Sequence, residues 1–406
     1  MMSDGAMSSE SQSLSAQADY LQKHILRAVK SQDISPQSPL VDNKSELIDQ
    51  LLPVLERLSD NPRYIPQAAR LAGFAGNHAD LGSPQEEQAA ASWSAILRKE
   101  PDAAERMRLA VSTAMYGKPD GEMARVTALA WVDDVNSHAP AQRLELAKDV
   151  AGRVPPHLAL MACGVMLHNI DAVDPARRIA EAAFLANQAG VVPENAPDAL
   201  RPLFEAAEQQ GAARWRQELM SLPPEQQIDL AKKAAGGRSP ALQVTALFAI
   251  LDNTGFLPEP ARRIEDMVLV ATQTSYADEE SMPKSILPLL QIAGERVGEI
   301  WGREVRDLPP EQQIDHAKHI MNNMPRGSAI RDQATTVFFS AIDELPSVAK
   351  KIEAAKFLQS TLKPNSADEK WAAKILADNV ARLTTPLRPE TPQRRPAFDS
   401  SPGGAS

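Results

Sequence analysis

The sequence predicts an all-α chain made of stacked antiparallel helix pairs, and three observations carry that prediction. The string LPPEQQID at Leu222–Asp229 recurs identically at Leu308–Asp315, 86 residues later. A second string, PARRI at Pro175–Ile179, recurs at Pro260–Ile264, 85 residues later, so two unrelated strings share nearly one offset. The third is compositional: 406 residues hold 32 Pro but only 19 Gly, against average usage of roughly 5% Pro and 7% Gly. Proline suits the first position of a helix, whereas glycine serves strand turns, so this balance points to many short helices with proline starts.

Aligning the two strings gives a common helix start: a proline, a short polar stretch, an apolar anchor, and a small or apolar residue three positions on. The anchors are Met107, Leu144, Ile179, Ile228, Ile264, Ile314 and Ile352. Their partners are Ala110, Ala147, Ala182, Ala231, Met267, Ala317 and Ala355. Residues three apart share a helix face, and alanine there lets a neighbouring helix come close. Successive anchors are 37, 35, 49, 36, 50 and 38 residues apart. From Leu144 onward short and long intervals alternate, which makes a double repeat of about 85 residues. Trp131, Trp215 and Trp301 each precede an anchor by 13 residues, and Trp93 by 14. Each has an apolar residue four positions on (Leu97, Val135, Leu219, Val305), the spacing of a packing pair near a helix end. Between the anchors, 241–251 and 330–342 carry apolar residues at mixed three and four spacings and read as helices. No stretch alternates polar and apolar long enough for a strand.

Helix pairs at this period bury a continuous core only by leaning on their neighbours. The segment from Trp93 to Leu383 therefore resembles an α-solenoid of the HEAT or armadillo kind, a resemblance of architecture without a signature motif. The expected organisation is a Ser/Gln/Pro-rich disordered leader at 1–42, an N-terminal helical cap at 43–90, the repeat array at 91–383 and a disordered Pro-rich tail at 384–406. Within the leader, 18–30 reads as a short amphipathic helix with Tyr20, Leu21, Ile25, Leu26 and Val29 on one face. In the tail, Pro389, Pro392 and Arg394 form the PxxPx-basic pattern that aromatic grooves of SH3-type domains dock.

A Ser-rich leader, an amphipathic stretch and Ala/Leu-rich helical repeats together resemble type III secreted effectors of plant-associated bacteria. The resemblance implies delivery into a host cell by a route without a signal peptide, a secretion chaperone on 18–30, and a host protein as target. Residues 1–19 have neither a basic start nor an apolar core of the secretory kind. No apolar run is long enough to span a membrane.

Chemistry is weakly signalled. One cysteine excludes a disulfide framework or a thiolate zinc site within the chain. The GxxxxGK[ST], GxGxxG, HExxH and GxSxG patterns are absent. Cys163 lies in an apolar helix interior and reads as a small hydrophobe. His316 and His319 have the spacing of two metal ligands, but the sister repeat holds Leu230 and Lys233 there, so they read as repeat variation. The expectation is no catalytic residue, no metal and no cofactor. One charge feature is periodic: Arg177-Arg178, Arg262-Arg263 and Lys350-Lys351 occupy the slot just before the anchor in alternate sub-repeats. Basic residues in the first turn of a helix oppose its dipole, so something must compensate. They either pair with acids on adjacent repeats or form an interaction stripe for an acidic partner or phosphate. The formal charge of −10 argues against nucleic acid. The function expected is a non-enzymatic protein-binding scaffold; the alternative is a helical-repeat enzyme or a phosphate or nucleic-acid binder using the stripe.

Overall fold

The computed structural model describes residues 9–34, 44–152, 154–276, 282–364 and 366–384. Among these there are eighteen α-helices, three short 3-10 turns and no strand. The helices pair in order: α1 (Ser9–Ile34) with α2 (Lys44–Leu58), α3 (Ile65–His78) with α4 (Pro84–Leu97), and α5 (Ala103–Ala114) with α6 (Glu122–Val135). The series continues with α7 (Pro140–Ala151) and α8 (Pro156–Asn169), α9 (Pro175–Ala189) and α10 (Arg201–Leu219), and α11 (Pro224–Ala235) and α12 (Pro240–Asn253). The remaining helices are α13 (Pro260–Ser275), α14 (Leu287–Arg306), α15 (Pro310–Asn323), α16 (Ala329–Glu344), α17 (Val348–Thr361) and α18 (Ala367–Thr384), with α15 on α16 and α17 on α18. The chain divides into two compact units, one of residues 1–258 and 277–293, the other of 259–276 and 294–406. Each unit is a solenoid segment of stacked antiparallel pairs.

The anchors begin the first helix of each pair from α5 onward, and the tryptophans lie near the end of second helices. Pro140, Pro175, Pro224, Pro260 and Pro310 each occupy the first helical position, where the missing N–H has no intrahelical partner to lose. The start at Pro346 shifts: α17 opens after Ser347, whose hydroxyl accepts from the Lys350 N–H. Six of the seven anchors are buried and Ile352 is half-buried, while every residue three positions on is buried. Trp93, Trp131, Trp215 and Trp301 are at most 1% exposed, so all four are core residues. The two longest intervals hold the long second helices α10 and α14, of 19 and 20 residues.

Two differences from the sequence expectation concern the N-terminal part. First, α1 starts at Ser9 rather than 18, so residues 9–17 are helical and not a disordered leader. The reason is a stripe narrower than the composition reveals: Leu14, Ala18, Leu21, Ile25 and Ala28 are buried at spacings of three and four, while Tyr20 is 59% exposed. Burial of this stripe against the apolar face of α2 (Ile48, Leu51, Leu52, Leu55, Leu58) supplies what Ser/Gln-rich propensity lacks. Second, pairing begins at α1 and α2, within what the sequence assigns to leader and cap. Side chains at one fixed offset bridge neighbouring pairs there: Lys44 to Asp80, Gln85 to Asp49 and Ser92 to Glu56, all 36 residues apart. The same offset continues from Asn77 to Thr113 and from Glu86 to Glu122. Residues 1–8 and the tail positions Pro389, Pro392 and Arg394 lie outside the described residues.

Candidate interaction face

The basic slots have intramolecular roles, and the two positions of each slot differ. The residue immediately before the anchor reaches back to main-chain carbonyls at the end of the preceding second helix or its loop. Arg143 donates from Nε to the His138 carbonyl and from Nη2 to that of Asn136, both at 2.7 Å. Arg178 does the same to Val173 at 3.0 Å and Asp171 at 3.1 Å. Gln227 reaches Leu222 at 2.7 Å, and Gln313 reaches Leu308 at 2.7 Å and Arg306 at 3.0 Å. Arg106 bonds Glu100 at 2.7 Å, and Lys351 bonds Asp343 at 2.6 Å. A helix ends with carbonyls that lack intrahelical donors. A long multi-donor side chain in this slot satisfies them and fixes the turn between pairs, each bond contributing about 0.5–1.5 kcal/mol. The compensation that the helix dipole demanded comes from these carbonyls.

The other position of the slot makes ion pairs. Arg177 meets Glu145 on α7 at 2.6 Å and Glu181 on its own helix at 3.2 Å, and Lys350 meets Glu311 on α15 at 2.7 Å. These pairs hold the Arg177 pKa above the usual arginine value. Arg263, which stands immediately before the anchor Ile264, departs from its counterparts and pairs with Glu304 at 2.7 Å, and Arg262 is likewise not free. The six residues of the expected stripe are thus held by their own chain. Glu145, Lys148, Arg177 and Glu181 form a ladder from α7 to α9, with Lys148 to Glu181 at 2.9 Å.

Two cavities open between successive first helices. One, of about 420 Å³, lies between α3 and α5, with Arg70, Phe74, Asn77, His78, Thr113 and Tyr116 among its lining. Burial, then Lys118, then Lys44 hold the His78 pKa below the usual histidine value, which favours the neutral ring. The other, of about 560 Å³, lies between α13 and α15 in the second unit, with Ile264, Glu265, Gln312, Asp315, His316 and His319 in its wall. His316 is shifted down by burial and by His319, against the pull of Asp315. The two histidines that the sequence singles out therefore share a groove. Among the described residues no three His, Cys, Asp or Glu side chains are grouped to hold a metal ion, and no helix is long and apolar enough to cross a membrane. Cys163 is buried in α8, and burial pushes its thiol up to about 12.

No family model and no curated protein matches this chain. Solved structures similar to it include a circular tandem repeat protein with novel repeat topology and enhanced subunit contact surfaces. That likeness has 10% identity and a TM-score of 0.34, covering 91% of this chain and 97% of the other. A structure from the computational design of self-assembling cyclic protein homooligomers has 11% identity and a TM-score of 0.10, over 92% of this chain and 98% of that one. At those scores neither carries an argument about the fold, which rests on the helices themselves.

The α3–α5 cavity was not visible in the sequence, because α3 lies upstream of the first aligned anchor, Met107 in α5. One signal was there: Gly73 and Asn77 interrupt an Ala-rich helix on one face. A Cβ at Gly73 would stand 2.5 Å from Thr113 Cγ2, so glycine permits the close approach of α3 to α5.

Proposed function

We propose that this protein is a non-enzymatic scaffold that binds a partner protein on the first-helix faces of its units. The observation that carries this is that a cavity opens between two successive first helices in each unit, toward the ends of α3 and α5 in one and toward the starts of α13 and α15 in the other. Grooves between repeated helices offer extended surface with adaptable polar contacts, as solenoids use them. Occupation of the basic slots by Glu145, Glu181, Glu304, Glu311 and main-chain carbonyls favours this over a phosphate or nucleic-acid stripe.

The test is face-selective blocking. Cysteines replacing Tyr116 or Gln312, both exposed on the first-helix side, are labelled with a bulky maleimide, and Gln88→Cys on α4 serves as the second-helix control. Buried Cys163 stays silent in the folded protein. Labels at Tyr116→Cys and Gln312→Cys should abolish capture of the partner, and the label at Gln88→Cys should leave it intact; the reverse pattern would sink the assignment.

The finer proposal is that the scaffold is a secreted bacterial effector with a host target. The Ser-rich start followed by helical repeats supports it, whereas a chaperone on 18–30 would compete with α2 and α3 for the buried face of α1. Delivery through a type III apparatus should require residues 1–42, and secretion of the chain lacking them would overturn the idea.

A further inference from the structure

The cavity between α3 and α5 has the chemistry of a specific subsite, and the inference rests on the first-helix face being the binding face. Asn77 is 9% exposed and lines the cavity. Its Nδ2 donates to the Thr113 carbonyl at 3.1 Å, while its Oδ1 accepts from nothing among the described residues. A buried acceptor without a donor is unfavourable, and an incoming N–H removes the penalty. Gly117 packs close beside that oxygen, and a Cβ there would stand 3.3 Å from it.

Arg70 and Phe74 lie on the same face of α3 as Asn77, seven and three residues earlier. Seven residues of helix advance about 10 Å. Arg70 is exposed, and its Nε donates to the Pro66 carbonyl at 3.2 Å. Among the described residues it has no carboxylate partner. The nearby Glu105 is committed to Arg108, which holds its two oxygens at 2.6 and 2.5 Å. Between the two ends stand Phe74, half-buried, and Tyr116, 81% exposed. The other local cations are spent: Lys118 on the Ala79 carbonyl, Lys44 on Asp80 at 2.6 Å. A guanidinium without an ion pair of its own can take a carboxylate as a bidentate partner.

An extended polypeptide covers about 10 Å in three residues. We propose that this cavity binds an extended segment of the partner protein: a main-chain N–H reaches Asn77 Oδ1, an apolar side chain packs on Phe74 and Tyr116, and a carboxylate three residues from that N–H pairs with Arg70.

The test uses the full chain and fluorescein-labelled acetyl-Gly-Gly-Φ-Gly-Glu-Gly-amide, where Φ is Leu, Ile, Met or Phe, together with the reversed-order peptides. The best Glu peptide should bind at least tenfold more tightly than its Gln counterpart, a difference of about 1.4 kcal/mol. That preference should disappear in Arg70→Ala. Gly117→Ala, which shields Oδ1, and N-methylation of the peptide amides should each weaken binding about tenfold. Tyr116→Ala should weaken all the apolar peptides alike. Thermal midpoints of the variants report that the fold is kept. Equal binding of Glu and Gln peptides, or a preference that survives Arg70→Ala, overturns the proposal. So does Arg70-dependent binding of inorganic phosphate alone, which would make this a simple anion site. If no peptide binds while a label at Tyr116→Cys still blocks partner capture, the subsite chemistry falls and the scaffold stands. If that label does not block capture either, both fall.

Discussion

Replacing Trp215 with alanine is expected to destabilise the first unit by about 3–5 kcal/mol, the usual range for deleting a large aromatic from a packed core. Trp215 is 1% exposed and lies near the end of α10, the longer helix of its pair. One turn earlier, Gly211 touches α9 so closely that a Cβ would stand 2.9 Å from the Ala186 nitrogen. With backbone this near, α9 and α10 cannot slide together to fill the space left by an indole, so most of the cavity persists. Because stability in a repeat array is a sum of local and nearest-neighbour terms, the loss should be regional. Hydrogen exchange should accelerate in α9, α10 and α12, which pack on one another, and change least in α1 and α2. A shift below about half a kcal/mol would mean that the side chain is not buried.

The second large effect is expected at Arg106. Its Nε and Nη2 lie 2.8 and 2.5 Å from Asp134 Oδ1, and its Nη1 bonds the Glu100 carbonyl at 2.7 Å. Asp134 is 8% exposed, so Arg106→Ala strands a buried carboxylate and frees a loop carbonyl together. Breaking such a pair from one side costs about 3–5 kcal/mol, whereas replacing both members by apolar groups is often near neutral. Denaturant midpoints should therefore show Arg106→Met with Asp134→Leu recovering most of the stability lost in Arg106→Ala. Equal losses in the single and double variants would mean that packing of the arginine stem, rather than the stranded charge, sets the cost.

The core of the array was legible because it is written in large apolar residues at fixed spacing. Apart from half-buried Ile352, the anchors, the alanines and Met267 three positions on, and the four tryptophans are positions where burial and residue type agree. Helix α1 was not legible before Ala18, since its stripe there consists of Leu14 in a Ser/Gln-rich context and only tertiary packing makes it helical. The slot before the anchor was visible as a pattern but not as a role. Its partners are main-chain carbonyls, which side-chain periodicity does not encode. The clue lay in the residue types: Arg106, Arg143, Arg178, Gln227, Gln313 and Lys351 share a long stem and several N–H donors but not a charge. A stripe built for charge would not accept glutamine. The α3–α5 cavity depends on which amide oxygen is left without a donor, and that is settled only when α5 is placed against α3.

The 36-residue offset that ties Lys44 to Asp80, Ser92 to Glu56, Asn77 to Thr113 and Glu86 to Glu122 makes length a countable property of the segment 44–122. An unequal crossover that adds or drops 36 residues inserts or removes one whole pair and keeps the phase of everything downstream. A crossover of any other length places each donor a fraction of a turn away from its acceptor. Recombination within residues 44–122 can therefore lengthen or shorten the array only in whole helix pairs.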